Sequence, residues 1–331
     1  MAKVTVIIPV YGVERYIERC CLSVFNQSFR DFDIVFVNDC SQDRSEDIVT
    51  RVIAQFQHTG ICSTLIRHAT NQGISAARET GLRAATGEWI LYVDSDDHIA
   101  PTMLEAMVAA SSTADIVYCD YYESKHGQLI YRDQLLPTVD PIDLTAAMLQ
   151  QQIVWAPWNK LFKKSLADSH DLHWPSGINI GEDMVVMSQL FYHAGSIAHV
   201  PEGLYVYNRD NTGSYLNNWN SEQCEQNLHA VTILAAYLSQ QPQHARLAVG
   251  LSAIKLMARF QMLYSPERAL IKRVRQQFAE TDGDIFTYRD AAWHWKIIMY
   301  LICRQSPNMG LLIIDMISLL KRCLSRPVSK T

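Results

Sequence analysis

Four residues in a row, Asp94-Ser95-Asp96-Asp97, follow directly on the apolar run Trp89-Ile90-Leu91-Tyr92-Val93. The run has the length and the aromatic and β-branched content of a buried strand. Carboxylates at the C-terminal end of such a strand sit where open α/β sheets place their ligands. Asp94 and Asp96 are two residues apart, so their side chains can converge on one hard cation that takes oxygen ligands. Such an ion would offset the repulsion between the carboxylates and hold a diphosphate. Taken alone, the same four residues also describe a solvated acidic turn.

The elements that must position this cluster are legible upstream of it. Val4-Thr5-Val6-Ile7-Ile8 is a continuous apolar strand stopped by Pro9. Val13, Tyr16, Ile17, Cys20, Cys21, Val24 and Phe25 recur at helical spacing, which predicts a helix over 13–26. Asp33 to Val37 reads as the second strand, and the polar loop 38–43 can cap a helix over 44–57. Cys62 to Ile66 reads as a third strand, and Ile74 to Ala85 as a helix ended by Gly87. This βαβαβαβ order predicts an α/β fold with a mostly parallel sheet covered on both faces. Each strand then ends in polar residues that can meet at one edge: Tyr11, Asp39, Asn71 with Arg78, and Asp94 with Asp96. Four such ends in register predict a ligand crevice.

Several function classes fall away. The first strand is followed by Gly12 alone and not by G-x-G-x-x-G, and no G-x-x-x-x-G-K-[ST] occurs, which argues against a dinucleotide-binding unit and a P-loop. Of 331 residues, 48% are hydrophobic and 19% charged, an ordinary globular composition, and the net charge of −5 gives no nucleic-acid footprint. The eight cysteines are scattered without metal-ligand spacing and are expected to be reduced packing residues. Lys3 and Val4 run straight into a strand, so a cytoplasmic chain without a secretory leader is expected.

Five segments, in order, resemble the family 2 glycosyltransferases of the GT-A fold: Val6-Ile7-Ile8-Pro9-Val10-Tyr11, Cys21 to Ser28, Val37 to Asp43, Asn71 to Arg78, and Asp94 to Asp97. Pro157-Trp158-Asn159-Lys160-Leu161-Phe162 and Gly181-Glu182-Asp183-Met184 resemble acceptor-side segments of bacterial members that build surface polysaccharides. The resemblance implies a nucleotide-sugar site. Asp39 would meet a pyrimidine ring, Pro9 and Tyr11 would line the base pocket, and Arg78 would sit near base or diphosphate. Asn71 and Ser95 belong to the same set. Asp94 would contact ribose or metal, and Asp96 would ligate a divalent Mn²⁺ or Mg²⁺. Asn38, Cys40 and Glu79 depart from the family's more frequent residues, which bears on donor identity.

Gly181-Glu182-Asp183 opens an apolar-periodic helix, and acidic residues there would by themselves only favour the helix dipole. The resemblance instead assigns the base of an inverting transferase to Asp183, with Glu182 as the second candidate. It also implies a UDP-sugar donor and a glycan or lipid-linked acceptor. Trp158 is expected either to stack on a sugar face or to be core, Trp155 to be core, and Lys160 or Arg209 to meet phosphate. Tyr205 to Arg209 reads as an edge strand before the loop 210–214. The implied organisation is a catalytic domain over 1–215, with a nucleotide-binding half 1–100 and an acceptor half 101–215, and a helical C-terminal region 216–331. A sugar-1-phosphate nucleotidyltransferase and a non-catalytic glycan- or lipid-binding module are the alternatives. Two apolar segments, Trp293 to Ile302 and Leu311 to Leu320, are each too short to span a bilayer. With Lys272, Arg273, Arg275, Lys321, Arg322 and Arg326 nearby, they predict either interfacial helices on the inner face of the plasma membrane or a hairpin packed on the domain or at a homodimer interface.

Overall fold

The computed structural model describes residues 2–211, 220–263, 265, 267–305 and 312–314. The first strand, β1 (Val4–Val10), is buried along its whole length, as a strand covered on both faces must be. Val4, Val6, Ile8 and Val10 face α1 (Ile17–Phe25) and α2 (Ser45–Phe56), and Ile7 faces α3 (Ile74–Ala84) on the opposite side. Beside β1 run β2 (Phe32–Asn38) and β4 (Trp89–Tyr92), with β3 (Ser63–Arg67) outside β2, all parallel.

Past β4 the sheet becomes mixed. The remaining strands are β5 (His98–Ile99), β6 (Ile116–Lys125), β7 (Gln128–Arg132), β8 (Lys160–Lys163) and β9 (Ile197–Asn208). The order is β3-β2-β1-β4-β8-β6-β9-β5, with β7 also on β6. β8 is antiparallel to both β4 and β6, and β9 is parallel to β6 and antiparallel to β5. Residues 205–209 therefore do not form an edge strand. They end a twelve-residue strand flanked by β6 and by the two residues of β5. β5 is too short to leave a periodic signal. α4 (Met103–Ala110), α5 (Pro141–Leu149), α6 (Lys164–Ser169) and α7 (Glu182–His193) are the remaining helices ahead of β9.

Gly87 does not end α3. The helix stops at Ala84 because Ala85 is extended (φ −66°, ψ 133°). A Cβ on Gly87 would lie 2.5 Å from the Thr5 backbone nitrogen, so the glycine serves the close approach to β1.

The C-terminal region is helical, with α8 (Ser221–Ser239), α9 (Ala248–Met262), α10 (Arg268–Arg273) and α11 (Trp293–Tyr300). Its core is continuous with α5 and α7: Leu149 and Met184 pack in one cluster with Leu228, Leu234, Ile254 and Phe260. The polar stretch at 281–284 partners a buried cation. Arg259 donates to Thr281 Oγ1 at 2.8 Å and to Asp282 Oδ1 at 2.7 Å. Lys321, Arg322, Arg326, Cys323 and most of the segment Leu311 to Leu320 lie outside the described residues, as do residues 212–214.

Candidate active site

β1, β2 and β4 end at one edge of the sheet, and the Asp94–Asp97 turn closes it. The four residues of that turn divide by burial. Asp97 is wholly buried; its Oδ2 accepts from Tyr205 Oη (2.6 Å) and its Oδ1 from the Asn208 amide (2.7 Å). Burial and the neighbouring carboxylates push its pKa well up. Asp97 thus anchors the end of β9. Ser95 is buried. Asp94 and Asp96 stay partly exposed. The Asp94 amide donates to Tyr205 Oη at 3.1 Å, and Asp96 Oδ2 accepts from Asn211 Nδ2 at 2.8 Å. The Asp96 carbonyl accepts from Asn208 Nδ2 (3.2 Å) and Arg19 Nη2 (3.4 Å). Burial, with Asp94 adding to it, raises the Asp96 pKa.

Arg78, from the buried face of α3, joins this turn to α7. Its Nη2 donates to Asp94 Oδ1 at 3.0 Å and its Nη1 to Glu182 Oε1 at 2.8 Å. Burial opposes the guanidinium charge, and the carboxylates of Asp94 and Glu182 outweigh it. The guanidinium also lies 4.9 Å from the Trp174 ring centre, and Trp174 Nε1 donates to Tyr92 Oη at 2.8 Å. Glu182 and Asp183 sit in the first turn of α7, where the helix dipole favours negative charge. Gly181 enters that turn at φ +81°, and a Cβ there would meet Ala230 Cβ of α8 at 2.9 Å. Burial pushes the Glu182 carboxyl up to about 7, with Asp183 adding to the effect. Burial also raises Asp183, against the pull of Arg78. The two carboxyls are not equivalent: Glu182 is committed to Arg78, whereas among the described residues Asp183 Oδ1 accepts from the adjoining Met184 amide at 2.7 Å and from no cation.

Tyr11 is 53% exposed just past the end of β1, and Pro9 is buried. Asp39 is turned inward. Its carboxylate accepts from the Gln72 and Gly73 amides, both at 2.8 Å, and pairs with His68 Nδ1 at 2.7 Å. It therefore braces the loop that carries the exposed Asn71. A carboxylate offers about four lone-pair positions, so about one remains for a base.

Two acceptor-side expectations are corrected. Trp158 is 4% exposed and stacks on Tyr205 at 4.3 Å between ring centres, leaving no face for a sugar. Lys160 is fully buried and all of its donors are used within the chain, so it meets no acceptor phosphate. The short β8 at the centre of the sheet, which local pattern does not reveal, puts both inside. Trp155 is partly exposed, and its Nε1 donates to Met148 O at 2.6 Å. Arg209 is exposed, 5.8 Å from the Tyr207 ring centre, on the segment that leads to Asn211. Tyr205, Asn208, Asn211, Arg19 and Trp174 were not singled out by type or spacing. The available signal was Asp97 itself, since a third carboxylate at a buried strand end needs donors. Among the described residues no group of three or more His, Cys, Asp or Glu side chains is arranged to hold a metal by itself.

This geometry can be set beside known proteins. The family described as Glycosyl transferase family 2 matches residues 5–174. The uncharacterized glycosyltransferase EpsJ of Bacillus subtilis is 29% identical over 219 residues, which cover 64% of this chain and 62% of EpsJ. This chain thus spans less than two thirds of that relative. Among solved structures, S. aureus TarS 1–349 in complex with UDP-GlcNAc superposes with a TM-score of 0.71 at 16% identity, covering 96% of this chain and 92% of that 1–349 chain. The mannosyltransferase PcManGT of Pyrobaculum calidifontis, in complex with GDP-Man and Mn²⁺, gives 0.54 at 16% identity over 94% of this chain and 87% of its own. At such identities the likeness speaks for the fold, which is GT-A. With the family matched over 170 of 331 residues, from β1 through the acidic turn and beyond, the chain belongs to glycosyl transferase family 2.

Proposed function

We propose that the protein is an inverting glycosyltransferase that moves a sugar from a UDP-sugar to a glycan or lipid-linked acceptor in polysaccharide synthesis. The observation that carries this reading is the Arg78 bridge. One buried guanidinium joins Asp94, in the turn suited to a diphosphate, to Glu182, which adjoins the carboxyl best placed to act as base. Pro9, Tyr11, Asp39, Asn71 and Ser95 take the nucleotide end, and the exposed Arg209 takes the diphosphate. Asp183 then accepts the proton of the acceptor hydroxyl as that oxygen attacks the anomeric carbon, a role worth about 10²–10⁴ in rate.

A divalent Mn²⁺ or Mg²⁺ fits the turn. Three carboxylates crowd one strand end, and burial raises two of them, so a hard cation would relieve the repulsion. Asp96 and Asp94 would hold it. Bound there, it would supply Lewis-acid stabilisation to a leaving diphosphate. The nucleotides held by TarS and PcManGT support a nucleotide-sugar donor, and the Mn²⁺ of PcManGT supports the cation.

Location is part of the same reading. None of the described helices is long and apolar enough to cross a membrane. Phe286, Trp293 and Tyr300 instead form an exposed aromatic cluster, with both partners 5.4 Å from the Phe286 ring centre. Such rings favour the headgroup layer, so we place the protein peripherally on the inner face of the plasma membrane, close to lipid-linked acceptors.

The test is UDP release from a panel of UDP-sugars with Mn²⁺ or Mg²⁺, with GDP-mannose beside them. Metal-dependent release of UDP is expected. Release of pyrophosphate from a sugar 1-phosphate and UTP would mark a nucleotidyltransferase, and binding without turnover a glycan-binding module.

A further inference from the structure

The three donors that hold Asp39 do not divide evenly between its oxygens. Oδ1 accepts from the Gln72 amide at 2.8 Å and from His68 Nδ1 at 2.7 Å. Oδ2 accepts from the Gly73 amide at 2.8 Å. Each carboxylate oxygen has two lone pairs. Among the described residues Oδ1 is therefore filled, and one acceptor position is left, on Oδ2.

The donors also differ in what stands behind them. Gln72 and Gly73 belong to one loop, between β3 and α3. His68 belongs to the sheet. It follows β3 directly, and the backbone ladder runs on through it: its amide donates to Asn38 O at 2.9 Å, just as the Asp39 amide donates to Val10 O at 2.9 Å. Its side chain is 8% exposed. A carboxylate accepts and does not donate, so Nδ1 carries a hydrogen, and Nε2 of the neutral ring accepts from Thr80 Oγ1 at 2.9 Å. Thr80 lies on α3, two residues beyond Arg78. The imidazole thus ties the carboxylate to a strand end and to a helix, where the two amides tie it only to a loop.

We propose that His68 is a positioning residue for the donor base: it holds Asp39 so that a single acceptor position, on Oδ2, is offered, which selects a base with one N–H over guanine. The inference rests on reading Asp39 as the contact to the base. Uracil presents one ring N–H between two carbonyl groups. Guanine presents two adjacent N–H groups, and the second would find no acceptor on Asp39. A polar group left unpaired in a site is costly, which is how such sites discriminate. GDP would then bind without this hydrogen bond, through its diphosphate and sugar alone.

The experiment uses the full chain with Mn²⁺ and measures the affinities of UDP, GDP and inorganic pyrophosphate by calorimetry. Wild-type protein is expected to bind UDP more tightly than GDP by about tenfold or more. His68→Leu removes the donor and should weaken UDP by about tenfold while GDP and pyrophosphate stay within about twofold. His68→Asn keeps an N–H near the place of Nδ1 and should retain most of the gap. Thr80→Val leaves the ring in place but unbraced and should narrow the gap by about threefold. Undiminished UDP affinity in a folded His68→Leu overturns the proposal. So does an equal loss of all three ligands, because the role is then a general structural one. If His68→Leu does not fold by circular dichroism, Thr80→Val decides, and an unchanged gap there overturns the proposal. A wild type that binds neither nucleotide brings down the functional reading and this inference with it. A wild type that binds UDP and GDP equally, or one that prefers UDP whatever stands at position 68, brings down only the inference.

Discussion

Asp183 and Glu182 are adjacent in sequence but differ in what they can do. Glu182 is held by Arg78, and Asp183 has no cationic partner in hydrogen-bond contact among the described residues. Asp183→Asn should therefore lower kcat by about 10²-fold or more while UDP affinity stays near wild type, since a base acts mainly in the transition state. Single-turnover rates with calorimetric UDP binding will check this; an unaffected rate alongside an inactive Glu182→Gln moves the role to Glu182. Because burial raises the Asp183 carboxyl, the wild-type acid limb should lie above the ordinary aspartate range near 4. Asp96 gives the companion prediction. It is a strand-end residue with an exposed portion, so Asp96→Ala should remove metal-dependent UDP binding and leave the melting temperature nearly unchanged. Calorimetry with Mn²⁺ that shows undiminished affinity would assign the cation elsewhere.

At the scale of elements, the site depends on β9. Tyr205 lies in the sheet beside β5 and β6, and its hydroxyl both donates to Asp97 and accepts from the Asp94 amide. One side chain thus ties the far strand to the acidic turn. Tyr205→Phe leaves a buried carboxylate oxygen and an amide without that partner. The expected cost is about 1–3 kcal/mol, read from the urea midpoint. The looser turn should also weaken Mn²⁺-dependent UDP binding. A variant with unchanged stability and unchanged affinity would show that the β9 anchor is dispensable. The same logic explains why Trp158 is core: it packs over the paired β6 and β9, stacked on Tyr205 and edge-on to Tyr121.

At the scale of the whole molecule, the C-terminal helices share a core with α5 and α7, so the helix that carries Asp183 is braced from behind by α8 and α9. What this region leaves outward is aromatic: Trp293 is 63% exposed beside Phe286 and Tyr300. Wild-type protein is expected to float with liposomes containing anionic lipid at low salt. Replacing Trp293 and Tyr300 by serine should abolish flotation while UDP release in solution persists, because neither residue touches the site. Wild-type protein that remains in the soluble fraction defeats the membrane contact and leaves the packed helices as the account of these segments.

The local pattern of residues 4–93 determined the alternation of strands and helices, the edge at which the strands end, and the placing of the acidic cluster there. These follow from periodicity and from the motifs, which are properties of short windows. Tertiary structure decided the rest. Arg78 reaches Glu182 across 104 positions, Asp97 meets the hydroxyl of Tyr205 across 108, and no window of sequence spans either. The insertion of β8 between β4 and β6 buried Trp158 and Lys160, which by residue type alone were as well suited to a ligand. Burial then set the chemistry. The same carboxyl and ammonium groups that titrate normally in water are displaced where neighbouring strands and helices exclude it, and which neighbours those are depends on the packing of the whole fold.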